Sequence, residues 1–189
     1  MKLKTPNLLR NLLIAWGIFA FFAVIGLFIY IFLHVTTGHT DIDTASASNV
    51  TFVLNKSGLW NHQVEKVLHS VDEPRAFDGS YLNAYAFRVS QLTVDDIKKT
   101  ESRYSNNWYR GDQLPPVLKN VAKEVDDYRN YLNYDLSWLP EKSEIMSAGF
   151  YLYPLRISLQ DSIESPRDFQ IILVRPADKM VFYLGQARY

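Results

Sequence analysis

The sequence contains no cysteine, which excludes a disulfide framework, a thiolate nucleophile and a thiolate metal site. In an oxidising compartment such a chain must stand on hydrophobic burial alone, which suits a bacterial periplasm better than a eukaryotic secretory lumen. Catalytic signatures are missing too: there is no G-x-S-x-G, no H-E-x-x-H and no glycine-rich phosphate loop. A serine, a histidine and a carboxylate can still meet in space, so this lowers the enzymatic reading without removing it. Charge of one sign is also lacking, with 20 basic and 20 acidic residues.

The most informative absence is local. From Leu12 to Leu33, 22 residues carry no charge and no strongly polar side chain. As a helix they reach about 33 Å, enough to cross a hydrocarbon core of about 30 Å. The stretch Leu12 to Val35 therefore reads as a transmembrane helix whose partner is the lipid bilayer. Lys2, Lys4 and Arg10 precede it, and the first acids after it are Asp41 and Asp43, so the positive-inside bias predicts a cytoplasmic N-terminus. A cleaved signal peptide would have a shorter apolar region with small residues close behind. Here the A-x-A-like site Ala45-Ser46-Ala47 is about a dozen residues downstream, and an uncleaved anchor is the expectation.

All 20 acidic residues but only 17 of the 20 basic ones follow the span, so the exported part carries a net charge of −3. Nucleic acid is not expected as a partner. The expected organisation is a cytoplasmic stub over 1–11, the transmembrane helix over 12–35, a flexible Thr/Ser-rich linker over 36–48 and one exported domain over 49–189. The stub is too short to fold or signal. The sequons Asn49-Val50-Thr51 and Asn55-Lys56-Ser57 matter only in a glycosylating pathway.

Within the domain, Val50 to Leu54 is β-branched and uncharged and reads as a first strand broken by Asn55 to Gly58. Trp60, Val64, Val67, Leu68 and Val71 then follow a helical period, with Ser57 as N-cap. That helix would set His62, Glu65 and His69 on one stripe, read as a solvated face and not as a metal site. Tyr81 to Val89 alternates as a strand. Thr93 and Asp96 form a capping-box pattern opening a helix to about Arg103. The segment that follows is a loop, and its Arg110-Gly111-Asp112 is read as a turn. Pro115 and Pro116 start a core helix of about five turns, with an apolar stripe through Val117, Leu118, Val121, Ala122, Val125, Tyr128 and Leu132. Tyr131, Tyr134 and Trp138 are read as packing, although such aromatics can also stack on sugars.

Three aromatic and β-branched runs end the chain, AGFYLYPLRISL, FQIILV and MVFYLG, and they predict an antiparallel meander. Pro154 puts the first run at an edge or a bulge. The fold class is thus α+β: a single N-terminal transmembrane helix, then a small antiparallel sheet of four or five strands with two or three packed helices.

This layout of anchor, tether and small exported domain resembles accessory subunits of envelope complexes and membrane-tethered immunity proteins, in arrangement and not in any residue. The expected function is binding of another envelope protein at the edge of the Ala148 to Leu159 strand, through Tyr151, Tyr153 and Arg156. The alternatives are an immunity protein against a periplasmic toxin, and an anchored envelope enzyme or glycan binder. No catalytic residue, metal or cofactor is implied. The expected location is the bacterial inner membrane, with the C-terminal domain periplasmic.

Overall fold

The computed structural model describes residues 5–36, 47–73, 75–104, 108–130, 134–159 and 166–187. The chain divides into two units, Met1–Gly38 and His39–Tyr189. The first contains one helix, α1 (Thr5–Thr36). Its segment Leu13–Tyr30 has a mean hydropathy of 2.4 and no buried residue, so α1 is long and apolar enough to cross a membrane. A membrane anchor and a signal sequence share that property.

The second unit runs α2 (Ala47–Ser57), β1 (Val64–Glu73), β2 (Tyr81–Val89), α3 (Val94–Tyr104), β3 (Tyr109–Arg110), α4 (Pro116–Tyr128), a single-turn α5 (Lys142–Ile145), β4 (Tyr151–Leu159), β5 (Pro166–Arg175) and β6 (Met180–Ala187). The strands form one antiparallel sheet in the order β1-β2-β6-β5-β4-β3. Every residue of β6 is buried, because it is central and covered on both faces. On one face α4 lays Leu118, Val121, Ala122, Val125 and Tyr128 against Leu82, Ala84, Phe169, Ile171, Phe182 and Leu184. On the other, α2 and α3 supply Val50, Val53, Leu54 and Ile97 against Tyr85, Phe87, Ile172, Val181 and Tyr183.

The sheet has six strands where four or five were expected, and two segments exchange their expected types. Val50 to Leu54 belongs to helix α2, not to a strand. Val50, Val53 and Leu54 are buried while Thr51 and Phe52 are exposed, a helical spacing that a five-residue apolar run is too short to announce. Gly58, at φ 76°, does not break a strand but closes this helix. Leu59 N–H donates to the Leu54 carbonyl at 2.9 Å and Gly58 N–H to that of Asn55 at 3.4 Å, the paired bonds of a left-handed glycine cap. Ser57 is accordingly the last residue of α2, its Oγ donating back to the Leu54 carbonyl at 3.0 Å, and not the N-cap of a following helix.

The segment expected as that helix is strand β1. Register shifts fall between Val64 and Lys66 and between Val67 and His69. Each extra residue reverses the alternation of faces. Val64 and Val67 therefore pack on the α2 side although three apart, while Leu68 and Val71 pack on the α4 side. Two bulges in a strand thus imitate the period of a helix. The stripe of His62, Glu65 and His69 dissolves with that helix, and the His69 ring stacks on Trp138 at 5.2 Å and 7°.

Elsewhere the expected elements form. Thr93 and Asp96 cap α3 reciprocally, Thr93 N–H donating to Asp96 Oδ2 at 2.9 Å and Asp96 N–H to Thr93 Oγ1 at 3.3 Å. Pro115 and Pro116 open α4. That helix is 13 residues long, shorter than five turns, because the Arg129 and Asn130 amides turn back to the Asp126 and Asp127 carbonyls at 3.2 and 3.3 Å and tighten its end. Tyr131 and Leu132 lie outside the described residues. Tyr134 and Trp138 are half-buried against the α4-side core. In the loop before α4, Arg110 clamps Asp112 through bonds of 2.6 and 2.8 Å. A Cβ on Gly111 would strike the Ile145 and Ser147 carbonyls, so this tripeptide is a packed turn.

Candidate functional site

β4 begins at Tyr151, three residues after the Ala148 expected to start it, and pairs with β5 along its whole length. On its other side β3 meets only Tyr151 and Leu152. From Tyr153 to Leu159 the outer edge has no strand partner among the described residues. A register shift between Pro154 and Arg156 absorbs the proline, which has no amide hydrogen to give a ladder. The strand is therefore both at an edge for most of its length and bulged.

Tyr151, Tyr153 and Arg156 share one face of β4, because their partners across the ladder, Val174, Ile172 and Gln170, alternate on the face covered by α2 and α3. They do different things there. Tyr151 and Tyr153 are half-buried against that cluster. The Tyr153 ring lies 5.2 Å from Trp108, and burial raises its phenol above the ordinary range. Trp108 is itself buried, and its Nε1 has no hydrogen-bond partner among the described residues, a cost of about 1–3 kcal/mol for a buried donor.

Arg156 is committed to an acid. Its Nη2 lies 3.0 Å from Asp168 Oδ2, with the arginine side chain 58% and the aspartate 7% exposed. Around Asp168 the α2 face becomes polar. Tyr81 donates to Asp168 Oδ1 at 3.4 Å and accepts from Gln170 Nε2 at 2.9 Å. Burial is the first cause holding the Tyr81 phenol above its ordinary range. Asn83, its amide nitrogen turned toward β1, donates to Asp72 Oδ1 at 2.8 Å. Asp72, Glu73, Arg75, Tyr81, Asn83 and Gln170 surround an open depression of about 280 Å³, and the Arg75 guanidinium rests 5.2 Å above the Tyr81 ring.

No family model matches the chain, and no curated protein or solved structure matches it significantly.

Sequence reasoning found one member of this polar group, Arg156, and missed the rest, because they come from β1, β2, β4 and β5. The available signals were polar residues interrupting apolar strands, Asp168 and Gln170 beside Phe169 and Ile171, and Gly185 inside β6, where a strand glycine marks a close approach.

Proposed function

We propose that the chain is a single-pass bacterial inner-membrane protein, N-terminus inside, whose periplasmic domain binds an extended segment of another envelope protein by strand addition at β4. The observation that carries this reading is the outer edge from Tyr153 to Leu159, unpaired among the described residues. It lies beside Trp108, whose buried indole N–H has no acceptor among the described residues. An added strand supplies backbone carbonyls to such an edge, and pockets for alternate side chains give specificity. In this reading Tyr153 contacts the added segment, and Tyr151, on the same face, borders it from the stretch already paired with β3. Arg156 stands at the polar end of the same face, where its aspartate partner fixes it as a positioning group.

Topology is tested by a reporter fused after Tyr189, which should be active outside the cytoplasm, with the full-length chain resisting alkaline extraction from membranes. A soluble product starting near 48 would replace the anchor with a cleaved leader. For binding, a photo-cross-linking residue in place of Ser158, exposed on β4, should trap one envelope protein in native membranes. That product should disappear with Tyr153→Ala while the melting curve is retained. The same residue in place of Phe77, 85% exposed at the β1–β2 turn, should not trap it. Equal trapping at both positions, or a product indifferent to Tyr153→Ala, removes the strand-addition reading.

A further inference from the structure

The two outer edges of the sheet differ in chemistry. At one, β1 has no outer strand partner among the described residues, and it carries Glu65, Lys66, Asp72 and Glu73 along with two register shifts. Charges and bulges together keep such an edge from accepting another strand. At the other, the stretch of β4 from Tyr153 to Leu159 has a single ionised side chain, Arg156. That guanidinium is neutralised inside the fold, its Nη2 lying 3.0 Å from Asp168 Oδ2. The open edge of β4 therefore offers a ladder with no net charge.

The side chains along it narrow the choice further. Tyr153 and Leu155 are half-buried against the apolar cluster on the α2 and α3 side, whereas Ile157 is half-buried against the cluster on the α4 side. Apolar side chains thus border the edge on both faces of the sheet. A strand laid beside them sends alternate side chains to the two faces, one row beside Tyr153 and Leu155 and the other beside Ile157. A segment with one apolar and one charged face suits only one of these rows. Strands with apolar neighbours on both faces are instead continuous runs of apolar and β-branched residues. An ionised side chain in such a run would lose water without gaining an opposite charge, since Arg156 already has its acid.

On the basis of strand addition at β4, we propose that the added segment is an uncharged, β-branched run of about five residues in another envelope protein, and that ionised side chains within it are rejected. Selection then comes from what the edge excludes as much as from what it holds.

The test uses the full chain in phosphocholine micelles, with a photo-cross-linking residue in place of Ser158, and end-blocked biotinylated peptides. One peptide alternates Val and Thr, so that every position is β-branched and neutral. Its variants carry Glu or Lys at the centre, or N-methyl groups on two successive central amides. The neutral peptide should be captured saturably, and central Glu or Lys should each weaken capture about tenfold or more. N-methylation removes backbone donors without adding charge and should weaken it too. The same cross-linking residue in place of Lys66, exposed on the β1 edge, should capture none. Equal capture of charged and neutral peptides overturns the proposal, and strand addition survives that result if N-methylation still weakens capture. Capture indifferent to N-methylation removes both. The proposal also falls if the neutral peptide is not captured saturably, if the Lys66 position captures it equally, or if the chain cross-links through Ser158 to a second copy of itself.

Discussion

On the α4 side of the sheet, apolar side chains run from Leu82 and Ala84 across Phe182 and Leu184 to Phe169 and Ile171, with Gln186 set between Leu82 and Phe169. The buried polar pair there, Tyr128 and Gln186, satisfies itself through a 2.9 Å bond. On the α2 and α3 side, apolar cover reaches Tyr183 and then gives way to Asp72, Tyr81, Asn83, Asp168 and Gln170. Both faces belong to the same strands, so the difference comes from what lies above them. Where a helix covers the pleat, every inward position must be apolar or paired. Where the helices stop, a polar group is tolerated by hydration, as for the exposed Asp72, or by a partner, as for the buried Tyr81 and Asp168. The closed face is held by apolar burial, and the other adds a hydrogen-bonded polar group to its apolar cluster.

The closed face should break first. Val121 and Val125 are fully buried under α4, and Val121→Asp or Val125→Asp puts a carboxylate there at several kcal/mol, comparable with the whole stability of a small domain. Loss of the cooperative melting transition is the expected result, and an unchanged melting temperature would show that α4 does not pack as described. Aromatic truncation gives a graded version of the same contrast. Phe169→Ala on the closed face should cost about 3–5 kcal/mol, whereas Phe52→Ala on the α2 side, 41% exposed in the native state, should cost about 1 kcal/mol. Denaturant midpoints of the two variants measure the difference directly.

At the polar end the expected effects are smaller. Arg156→Ala strands the buried Asp168 and should cost about 1–3 kcal/mol. Adding Asp168→Asn should recover part of that, and the double-mutant cycle reads the coupling. Arg156→Ala therefore disturbs folding as well as binding, and Arg156→Lys is the cleaner probe of the β4 edge. The α3 cap gives a pH-dependent term of similar or smaller size. Hydrogen bonds from Thr93 hold the Asp96 carboxyl below its ordinary 3.8, so its contribution is complete above that value and is lost as pH falls through the depressed folded value. Thr93→Ala should cost about 1 kcal/mol at neutral pH, and its penalty should shrink in acid melts. Tyr183→Phe comes last: its hydroxyl bonds no described residue, so stability should stay within about 0.5 kcal/mol.

Much of this architecture is legible in the residues, and the errors have one cause. The capping pair Thr93 and Asp96, the double proline before α4 and the three terminal runs were readable because each signal is local: a side chain answering a nearby backbone amide, or a β-branched and aromatic run set off by turn-forming residues. Val50 to Leu54 and the segment from Trp60 to Val71 were misread because short apolar runs and bulged strands do not carry a unique period. β3 is two residues long and exists by pairing with β4. Of the candidate sites, the β4 edge was foreseeable from Pro154 in a β-branched run. The depression was not, since its members are scattered over separate strands.

Composition and local pattern suffice to establish an apolar N-terminal helix long enough to cross a membrane, a cysteine-free α+β domain, and the caps and stripe of its main helices. These properties depend on side chains within a turn or two of one another, or on a count. Which segment lies beside which is a matter of long-range packing. The antiparallel order β1-β2-β6-β5-β4-β3 brings Tyr81, Asp168 and Gln170 together in one hydrogen-bonded group. Burial energy is a property of the assembled sheet and its covering helices, and no single stretch of chain contains it.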